Sequence, residues 1–375
     1  MQKKEGEREI MKALIIGGGP SGMSVGLWLL KKGIKPILFE KKTFPKDKLC
    51  GGLITPRGKK ELNLLNIPYN HIAFEPPNLN VSDGDSLNLS FKNDIGIQLI
   101  KREEFDKLLA DEYVQSGGIL KENQEVKDID IEKKHITTIH GEKYDYDILI
   151  IAEGARGKFR RKLQQTKLQN ALCLEQKIKD ETQREDSEKI KDNKSINVYF
   201  LDDKPGYAWR FDNKDETVIG IGSQLDYPDL KNKFYKIFGE ADNLKGAYVP
   251  YGLQPKQSNI KDIYFVGDAG GYVNSLLGEG ISYGIASGRA LADILVNNND
   301  SLDRTLRDNL KFYLSLRNIF FSKTLSELNI RLLKKYEEFA IFICKEFILR
   351  SDFDVFGYKK LLQYSWRYKV GRQGS

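Results

Sequence analysis

The chain has 375 residues, enough for one large domain or two modest ones, and a formal net charge of +7. Its three cysteines, Cys50, Cys173 and Cys344, have no paired spacing, which argues against a disulfide framework or a thiolate metal site and favours the cytoplasm. We expect neither a signal peptide nor a spanning helix, because the start is charged and no uninterrupted apolar run reaches membrane-spanning length.

A strand, a helix and a second strand are predicted at the start of the chain. An apolar run at 13–16 meets a glycine-rich turn, a helix-length stretch follows, and a second apolar run occupies 37–39. The glycines have the spacing G-x-G-x-x-G, and an acidic residue ends the second strand. This context predicts a dinucleotide-binding βαβ unit that uses Gly17, Gly19, Pro20, Ser21, Gly22, Glu40 and Lys41.

Each glycine of the turn has its own physical task. Gly17 permits a tight turn, Gly19 lets the backbone approach a pyrophosphate, and Gly22 lets the helix pack closely against the strand. The helix N-terminus offers unpaired N–H groups and the positive end of its dipole to the phosphates, while Glu40 can accept hydrogen bonds from an unphosphorylated ribose. FAD and NAD both use such a unit, so this segment alone leaves the nucleotide open.

Two sheets are predicted for the whole chain. Helical patterns at 56–65 and after Arg102 precede a buried-type strand at 148–151, and a similar strand at 263–266 would return to the first sheet. Between 165 and 250 the segments alternate as antiparallel strands do. We therefore predict an α/β fold with a Rossmann-like, doubly wound domain (11–75, 100–164 and 255–300), an inserted antiparallel-sheet substrate domain (76–99 and 165–254) and C-terminal helices (301–375).

Three further motifs help to decide between FAD and NAD. Residues 45–52, PKDKLCGG, are similar to P-x-x-K-x-C-G-G, residues 206–211, GYAWRF, to Y-x-W-x-F-P, and GDAGG at 267–271 with GEGI at 278–281 to flavin-closing segments. Over residues 12–300 the chain thus resembles the geranylgeranyl reductase family, which has the hydroxybenzoate hydroxylase-type flavoprotein fold. The resemblance implies an FAD-dependent oxidoreductase that reduces C=C bonds of an isoprenoid lipid by hydride transfer from reduced flavin.

The cofactor contacts follow from these motifs. Asp268 comes just after a buried strand in a glycine-rich turn, where it can accept hydrogen bonds from the ribityl chain of a flavin. The loop 278–280 opens a helix whose N-terminus would stabilise negative charge on reduced flavin, and the resemblance places the Arg102 guanidinium on a pyrophosphate. It further implies cofactor contacts from Cys50, Gly51, Gly52, Glu153, Gly154, Gly267, Gly278, Glu279, Gly280 and Ile281.

The predicted catalytic residues are Cys50, Tyr207 and Trp209. Tyr207, Trp209 and Phe211 alternate along a strand and share one face, which is typical both of sheet core and of a pocket wall. The resemblance favours a substrate wall. Cys50 precedes two glycines and could approach flavin or substrate, or it could be a small buried filler. The three histidines lie outside every motif, so a histidine acid is not expected; the proton donor stays open, with water and Tyr207 as candidates.

Several positions depart from the family pattern. Glu153 replaces an aspartate that touches flavin and nicotinamide in this fold group, Asp212 replaces a proline, and Ser275 and Leu277 replace the proline and threonine near the flavin's reactive edge. No second G-x-G-x-x-G follows a strand, so the reductant is either NAD(P)H visiting transiently or a reduced electron-carrier protein. A flavin monooxygenase or halogenase-like enzyme and a non-catalytic electron-transfer protein are the alternatives.

The positive charge lies at the C-terminal end. Residues 301–375 hold 15 Lys and Arg against 8 Asp and Glu, whereas the remaining chain has 45 of each. This helical region is either a solvated surface or a peripheral membrane contact for an acidic headgroup, and nucleic acid is not expected as a partner. Its aromatic residues could equally form core or an apolar mouth with basic edges, made by Phe339, Phe342, Ile343 and Phe347 near Lys334, Lys335, Lys345 and Arg350.

Overall fold

The structure is a computed structural model that describes residues 11–84, 87–164, 170–179, 193–201, 205–251, 255, 258–320 and 337–345. In chain order the strands are β1 (Ala13–Ile16), β2 (Ile37–Phe39), β3 (Leu53–Ile54), β4 (Asn78–Ser82), β5 (Asn88–Lys92), β6 (Gln98–Leu99), β7 (Ile119–Lys121), β8 (Val126–Asp130), β9 (His135–Thr138), β10 (Lys143–Asp145), β11 (Ile148–Ile151), β12 (Asn170–Lys179), β13 (Ser195–Phe200), β14 (Gly206–Asp212), β15 (Glu216–Ser223), β16 (Lys245–Pro250) and β17 (Ile263–Phe265). The helices are α1 (Pro20–Lys31), α2 (Pro56–Leu65), α3 (Arg102–Gln115), α4 (Lys158–Gln164), α5 (Tyr227–Phe238), α6 (Gly267–Gly270), α7 (Ile281–Asn297), α8 (Ser301–Phe320) and α9 (Glu337–Ile343), with a 3₁₀ turn at Tyr69–His71.

The first domain is built on five parallel strands in the order β17-β11-β1-β2-β7. The central strands β1 and β11 are short and apolar, which suits a sheet that is covered on both faces. Apolar side chains of α1, α3 and α7 form the core on one side, and β8, β9 and Phe159 contribute to the core on the other. The predicted Rossmann-like, doubly wound domain is confirmed.

Close packing of α1 against α7 brings the two ends of this domain together. A Cβ atom on Gly284 would lie 2.4 Å from Ser21 Oγ, and one on Gly267 would lie 2.0 Å from the same oxygen. Ser24 Oγ also donates to the carbonyl of Ile285 at 2.8 Å. Glycine has no side chain, so the backbone can approach closely at these positions. The first glycine turn therefore lies next to the start of α6 and the start of α7.

A seven-stranded sheet in the order β16-β12-β15-β14-β13-β4-β5 forms the inserted domain. Its pairs are antiparallel except β4 with β13, which is parallel. Helix α5 covers one face, where Leu230 and Phe234 pack against Leu174 and Ile221. The opposite face carries Trp209 and Phe211 and packs against residues of the first domain and of α8.

Helix α5 corrects the expectation that residues 165–250 form only strands and connections. The Asp226 side chain accepts a hydrogen bond from the Asp229 backbone N–H at 3.1 Å, and Pro228 lies in the first turn. An acidic cap followed by proline is a recognised helix start, so this signal was present in the sequence.

The described C-terminal helices pack against the rest of the chain. In α8, Leu306, Leu310 and Tyr313 are buried. Lys345, predicted as a basic edge, donates to Asp94 at 2.7 Å. No described helix is both long and apolar enough to cross a membrane. Phe342 and Ile343 are half-buried, whereas Lys334, Lys335, Phe347, Arg350 and the side chain of Phe339 lie outside the described residues, so the membrane contact stays a prediction.

A buried ion pair links α2 to α7. Arg289 donates to both carboxylate oxygens of Glu61 at 2.7 and 2.6 Å, and the Glu61 side chain is only 2% exposed. Arg289→Met would leave this carboxylate buried and uncompensated, so the free energy of unfolding should fall by about 3 kcal/mol in a urea titration. Arg304→Met breaks the exposed pair with Asp300 and should cost less than about 1 kcal/mol. Equal losses in the two variants would contradict this assignment.

Candidate functional site

The glycine turn forms an open cradle at the start of α1. Gly17 has a φ of +107°, and a Cβ on Gly22 would lie 2.0 Å from the Gly17 carbonyl oxygen, so both positions require glycine. A Cβ on Gly19 would meet no atom within 4 Å, and α1 begins after it without a side-chain cap. The space in front of these N–H groups is therefore open to an anion such as a pyrophosphate.

Glu40 lies at the end of β2, against the same turn. Its Oε2 accepts from Gly18 N at 2.8 Å and from Lys46 Nζ at 2.6 Å, and its Oε1 accepts from Lys42 N at 3.0 Å. Burial opposes ionisation, but Lys46 and the two N–H groups together hold the pKa of Glu40 below its usual value. The carboxylate is thus an ionised hydrogen-bond acceptor, as a ribose contact needs, while Lys41 is exposed.

The segment 45–52 bridges the two domains. Asp47 accepts from Lys245 of β16 at 2.7 Å, and the backbone N–H of Cys50 donates to Glu175 Oε1 of β12 at 3.2 Å. A Cβ on Gly51 would lie 2.7 Å from the Phe211 ring, and one on Gly52 would lie 2.0 Å from the Ile100 carbonyl oxygen. The two motifs therefore meet through backbone that has no side-chain bulk.

Positive groups converge beside this segment. Arg102 donates to both carboxylate oxygens of Asp106 at 2.9 Å, and its guanidinium also reaches the Cys50 thiol. Burial raises the pKa of Asp268 above its usual value, and the nearby cations Lys48 and Arg102 oppose that rise. Lys48, Arg102 and Asp268 belong to three separate motifs. The two cations therefore lie close enough to Asp268 to affect its ionisation.

Glu153 has a structural task that its sequence position did not reveal. Its carboxylate accepts from the backbone N–H groups of Lys158 at 3.1 Å, Phe159 at 2.7 Å and Arg160 at 3.2 Å, at the start of α4. Burial raises its pKa, and these three donors oppose the rise. The cofactor contact predicted for Glu153 and Gly154 stays a prediction. Gly154 has a φ of +78°, and no atom lies within 4 Å of its absent side chain.

The loop before α7 is held by its own hydrogen bonds. Asn274, fully buried, exchanges backbone hydrogen bonds with Gly278 and Glu279 at 2.7 and 3.0 Å. The Glu279 carboxylate accepts from Thr55 at 2.6 Å, which fixes the loop to the start of α2. Gly280 lies against Asp268, since an added Cβ would lie 2.9 Å from Asp268 Oδ1, and Ile281 then starts α7.

The aromatic stripe lies on the face of the second sheet that turns toward the segment 45–52. Trp209 and Phe211 are buried in the core between the domains, and Tyr207 is half-buried at its edge, where its hydroxyl donates to the Leu277 carbonyl. Among the described residues, the buried Trp209 indole N–H has no hydrogen-bond partner. This stripe therefore combines core packing with an unused donor, so it is compatible with both sequence interpretations.

The neighbouring strands complete this face with residues that lie outside every sequence motif. Gly220 and Gly222 of β15 lie directly opposite Trp209 and Tyr207, and on their other side opposite Glu175 and Cys173 of β12. The alternation in β12 places Cys173, Glu175 and Lys177 on one face, but an acid in an alternating strand reads as solvent-facing. Glu175 is instead 1% exposed, because the segment 45–52 covers it.

These residues fit FAD. The open cradle at Gly19 and the ionised Glu40 suit an adenosine diphosphate, and Asp268 offers an acceptor for a polyol. Two buried polar atoms without partners among the described residues, Trp209 Nε1 and Ser275 Oγ, lie in the aromatic stripe and in the loop before α7. Together, the fold and the site define a dinucleotide-binding oxidoreductase with an inserted sheet over the nucleotide domain.

The chain belongs to the pyridine nucleotide-disulphide oxidoreductase family, whose model matches residues 11–198. It is 26% identical to the chloroplastic geranylgeranyl diphosphate reductase of Nicotiana tabacum, with 94% of this chain and 82% of that protein covered. A geranylgeranyl bacteriochlorophyll reductase-like structure from Thermoplasma acidophilum superposes with a TM-score of 0.66 at 18% identity, covering 93% and 94% of the two chains. The flavin-dependent brominase Bmp2 superposes equally, at 0.66 and 15% identity over 95% and 99%. The resemblance to geranylgeranyl reductases is confirmed, and the chain is an FAD-dependent oxidoreductase.

Proposed function

We propose that this protein reduces C=C bonds of a prenyl lipid of geranylgeranyl type. One observation carries the proposal: Tyr207 and Trp209 lie opposite the glycines of β15, and the Phe211 ring lies against Gly51 of the predicted flavin segment. Aromatic rings packed on side-chain-free backbone form a continuous apolar wall, which is the kind of surface that a long apolar chain binds. Relatives named as geranylgeranyl diphosphate reductases support this substrate class.

The chain's own residues bind, orient and exclude water. The first glycine turn and Glu40 would hold the adenosine end of FAD, and Lys48, Arg102 and Asp268 would contact the middle of the cofactor. When bound and reduced, FAD supplies a hydride to one carbon of the alkene. The sheet face above 45–52 orients the lipid, and the burial of Trp209 keeps water away from the reacting carbons. NAD(P)H visiting transiently or a reduced carrier protein would supply the electrons.

Product chemistry tests the reaction. The purified protein should show a flavin absorption spectrum, and its anaerobically reduced form should reoxidise when geranylgeranyl lipid is added. The lipid should gain two hydrogens for each reduced bond, measured by mass spectrometry. A colourless protein that takes up no FAD, or reduced protein that never reoxidises with any prenyl lipid, would contradict the proposal.

A variant pair tests whether the aromatic face holds the lipid. Gly222→Val would place side-chain atoms near Cys173 Sγ, which lies 2.9 Å from the position of the added Cβ, and near the Trp209 ring. Turnover of geranylgeranyl lipid should fall at least about tenfold with FAD binding retained, since a misplaced substrate can cost that much. Gly246→Val, on the other face of the same sheet beside Leu174, is the control and should turn over normally. Equal turnover in both variants would place the lipid elsewhere.

A flavin monooxygenase or halogenase is the second candidate, because the brominase Bmp2 shares the fold over 95% of this chain. The same product measurement separates the two. Oxygen uptake coupled to substrate, with a hydroxylated or halogenated product, would favour this second function over alkene reduction.

A further inference from the structure

The geometry points to Glu175 as the residue that donates the proton to the second carbon of the alkene. This assignment rests on the proposed reduction. It concerns a residue outside every sequence motif, and one that is buried at the junction of the two domains.

Glu175 lies on the same face of the sheet as Trp209 and in the same row of paired residues. In the register it lies opposite Gly220, and Gly220 lies opposite Trp209 on the next strand. A Cβ on Gly220 would lie 2.3 Å from the Trp209 ring, so the indole lies across the glycine backbone toward β12. The carboxyl group and the predicted substrate wall therefore share one surface above Gly51.

A backbone N–H positions the carboxyl. Glu175 Oε1 accepts from the Cys50 backbone N–H at 3.2 Å, which links it to the segment predicted to contact flavin. Burial, helped by the nearby Glu216 and Asp47, outweighs the Cys50 hydrogen bond and Lys177 and raises the pKa of Glu175 to about 7. A carboxyl that holds its proton near neutral pH suits a general acid.

The alternative donor, Tyr207, is less suited to the task. Its hydroxyl donates to the Leu277 carbonyl, so its proton is directed into the loop before α7. Burial, with Cys173, Cys50 and Glu279 nearby, raises the pKa of Tyr207 well above its usual value. A phenol with that environment releases its proton less readily than the Glu175 carboxyl.

The chemical step balances with the reductant already proposed. The O–H bond of Glu175 breaks as a C–H bond forms from the alkene π electrons at one carbon, and the other carbon takes up the hydride of reduced flavin. The lipid is reduced and the flavin oxidised. The carboxylate then recovers a proton from water at the outer end of this face, where Asp47 meets Lys177 and Lys245.

The ionisable groups that face Glu175 determine its pH dependence. They come from its own strand, from the flanking strands, from the segment 45–52 and, through Cys50, from α3. They are Cys173 and Lys177, Glu216 and Lys245, Asp47 and Cys50, and, beyond Cys50, Arg102.

Two measurements test the proton donor. In the protein without substrate, an infrared carboxylic-acid band should titrate near pH 7 and be absent from Glu175→Gln, which keeps an oxygen to accept from Cys50 N. With reduced flavin and geranylgeranyl lipid, the kcat of the variant should fall about 100-fold or more with little change in KM. The alkaline decline of the wild-type kcat above pH 7 should disappear, and Glu175→Asp should recover part of the rate.

Glu240→Gln removes an exposed carboxyl near α5 and is the control, with wild-type rate and wild-type infrared titration. A Glu175→Gln variant that keeps its rate within threefold, or an unchanged infrared band, would overturn the assignment. A wild-type protein that reduces no prenyl lipid would contradict the proposed function, and the infrared titration would still decide whether Glu175 holds a proton.

Discussion

Gly19→Ala is expected to weaken FAD binding by about 10- to 100-fold while leaving the folded apoprotein as stable as the wild type. Gly19 has an extended backbone, with φ −85° and ψ 179°, which alanine adopts without strain. Its added Cβ would meet no protein atom within 4 Å and would enter the open space in front of α1. It would thus displace a pyrophosphate from N–H groups, and charged hydrogen bonds are each worth about 1.5–3 kcal/mol.

Gly22→Ala is the matched comparison in the same turn. Its Cβ would lie 2.0 Å from the Gly17 carbonyl oxygen and 3.3 Å from Ala152 Cβ, so α1 would have to move away from β1. This variant should lose both FAD affinity and stability. FAD titration by fluorescence and urea unfolding of the apoproteins separate the two effects. A Gly19→Ala protein with wild-type FAD affinity would place the pyrophosphate elsewhere.

Glu175→Gln should make the protein more stable than the wild type at pH 8, by on the order of 3 kcal/mol. Burial raises the pKa of Glu175 from about 4.5 to about 7. Between pH 4.5 and about pH 7, Glu175 keeps its proton in the native state but has lost it in the unfolded state. Raising the pH through this range therefore lowers the free energy of unfolding. Each unit of pKa difference corresponds to about 1.4 kcal/mol, and glutamine carries no charge to bury.

Urea unfolding of the apoprotein at pH 5, 6, 7 and 8 measures this difference. The wild type and Glu175→Gln should have similar stability at pH 5 and diverge up to pH 7, with a constant gap above it. Other buried acids act equally in both proteins, so the difference isolates Glu175. Glu240→Gln should follow the wild type throughout. Parallel curves for the wild type and Glu175→Gln would show that the carboxyl ionises normally in the folded state.

Local patterns in the sequence predicted the nucleotide domain well. The apolar run 13–16, the glycine spacing and Glu40 are close in sequence, and each conformation they need depends mainly on neighbouring residues. The helix predicted at 56–65 is α2, with the same bounds. Helix α5 was missed because the alternating segments on both sides of it predict strands.

The site depended more on distant residues. Glu175 and Cys50 are 125 positions apart, and their hydrogen bond exists because the inserted sheet lies on the nucleotide domain. The same contact between the domains buries Glu175, although its place in an alternating strand predicts an exposed side chain. The pairing of Lys46 with Glu40 also depends on how the segment 45–52 folds back.

The sequence by itself determined the βαβ unit, the alternation of the inserted strands and the flavoprotein resemblance, because these depend on residue type and local period. Only the tertiary structure decided what each buried carboxylate does. Glu40 is ionised beside a lysine, Glu153 caps α4, and Glu175 is buried beside the predicted substrate face, where its pKa is raised to about 7. The protonation of a carboxylate depends on burial and on partners brought from other parts of the chain, and neither is encoded in its sequence neighbours.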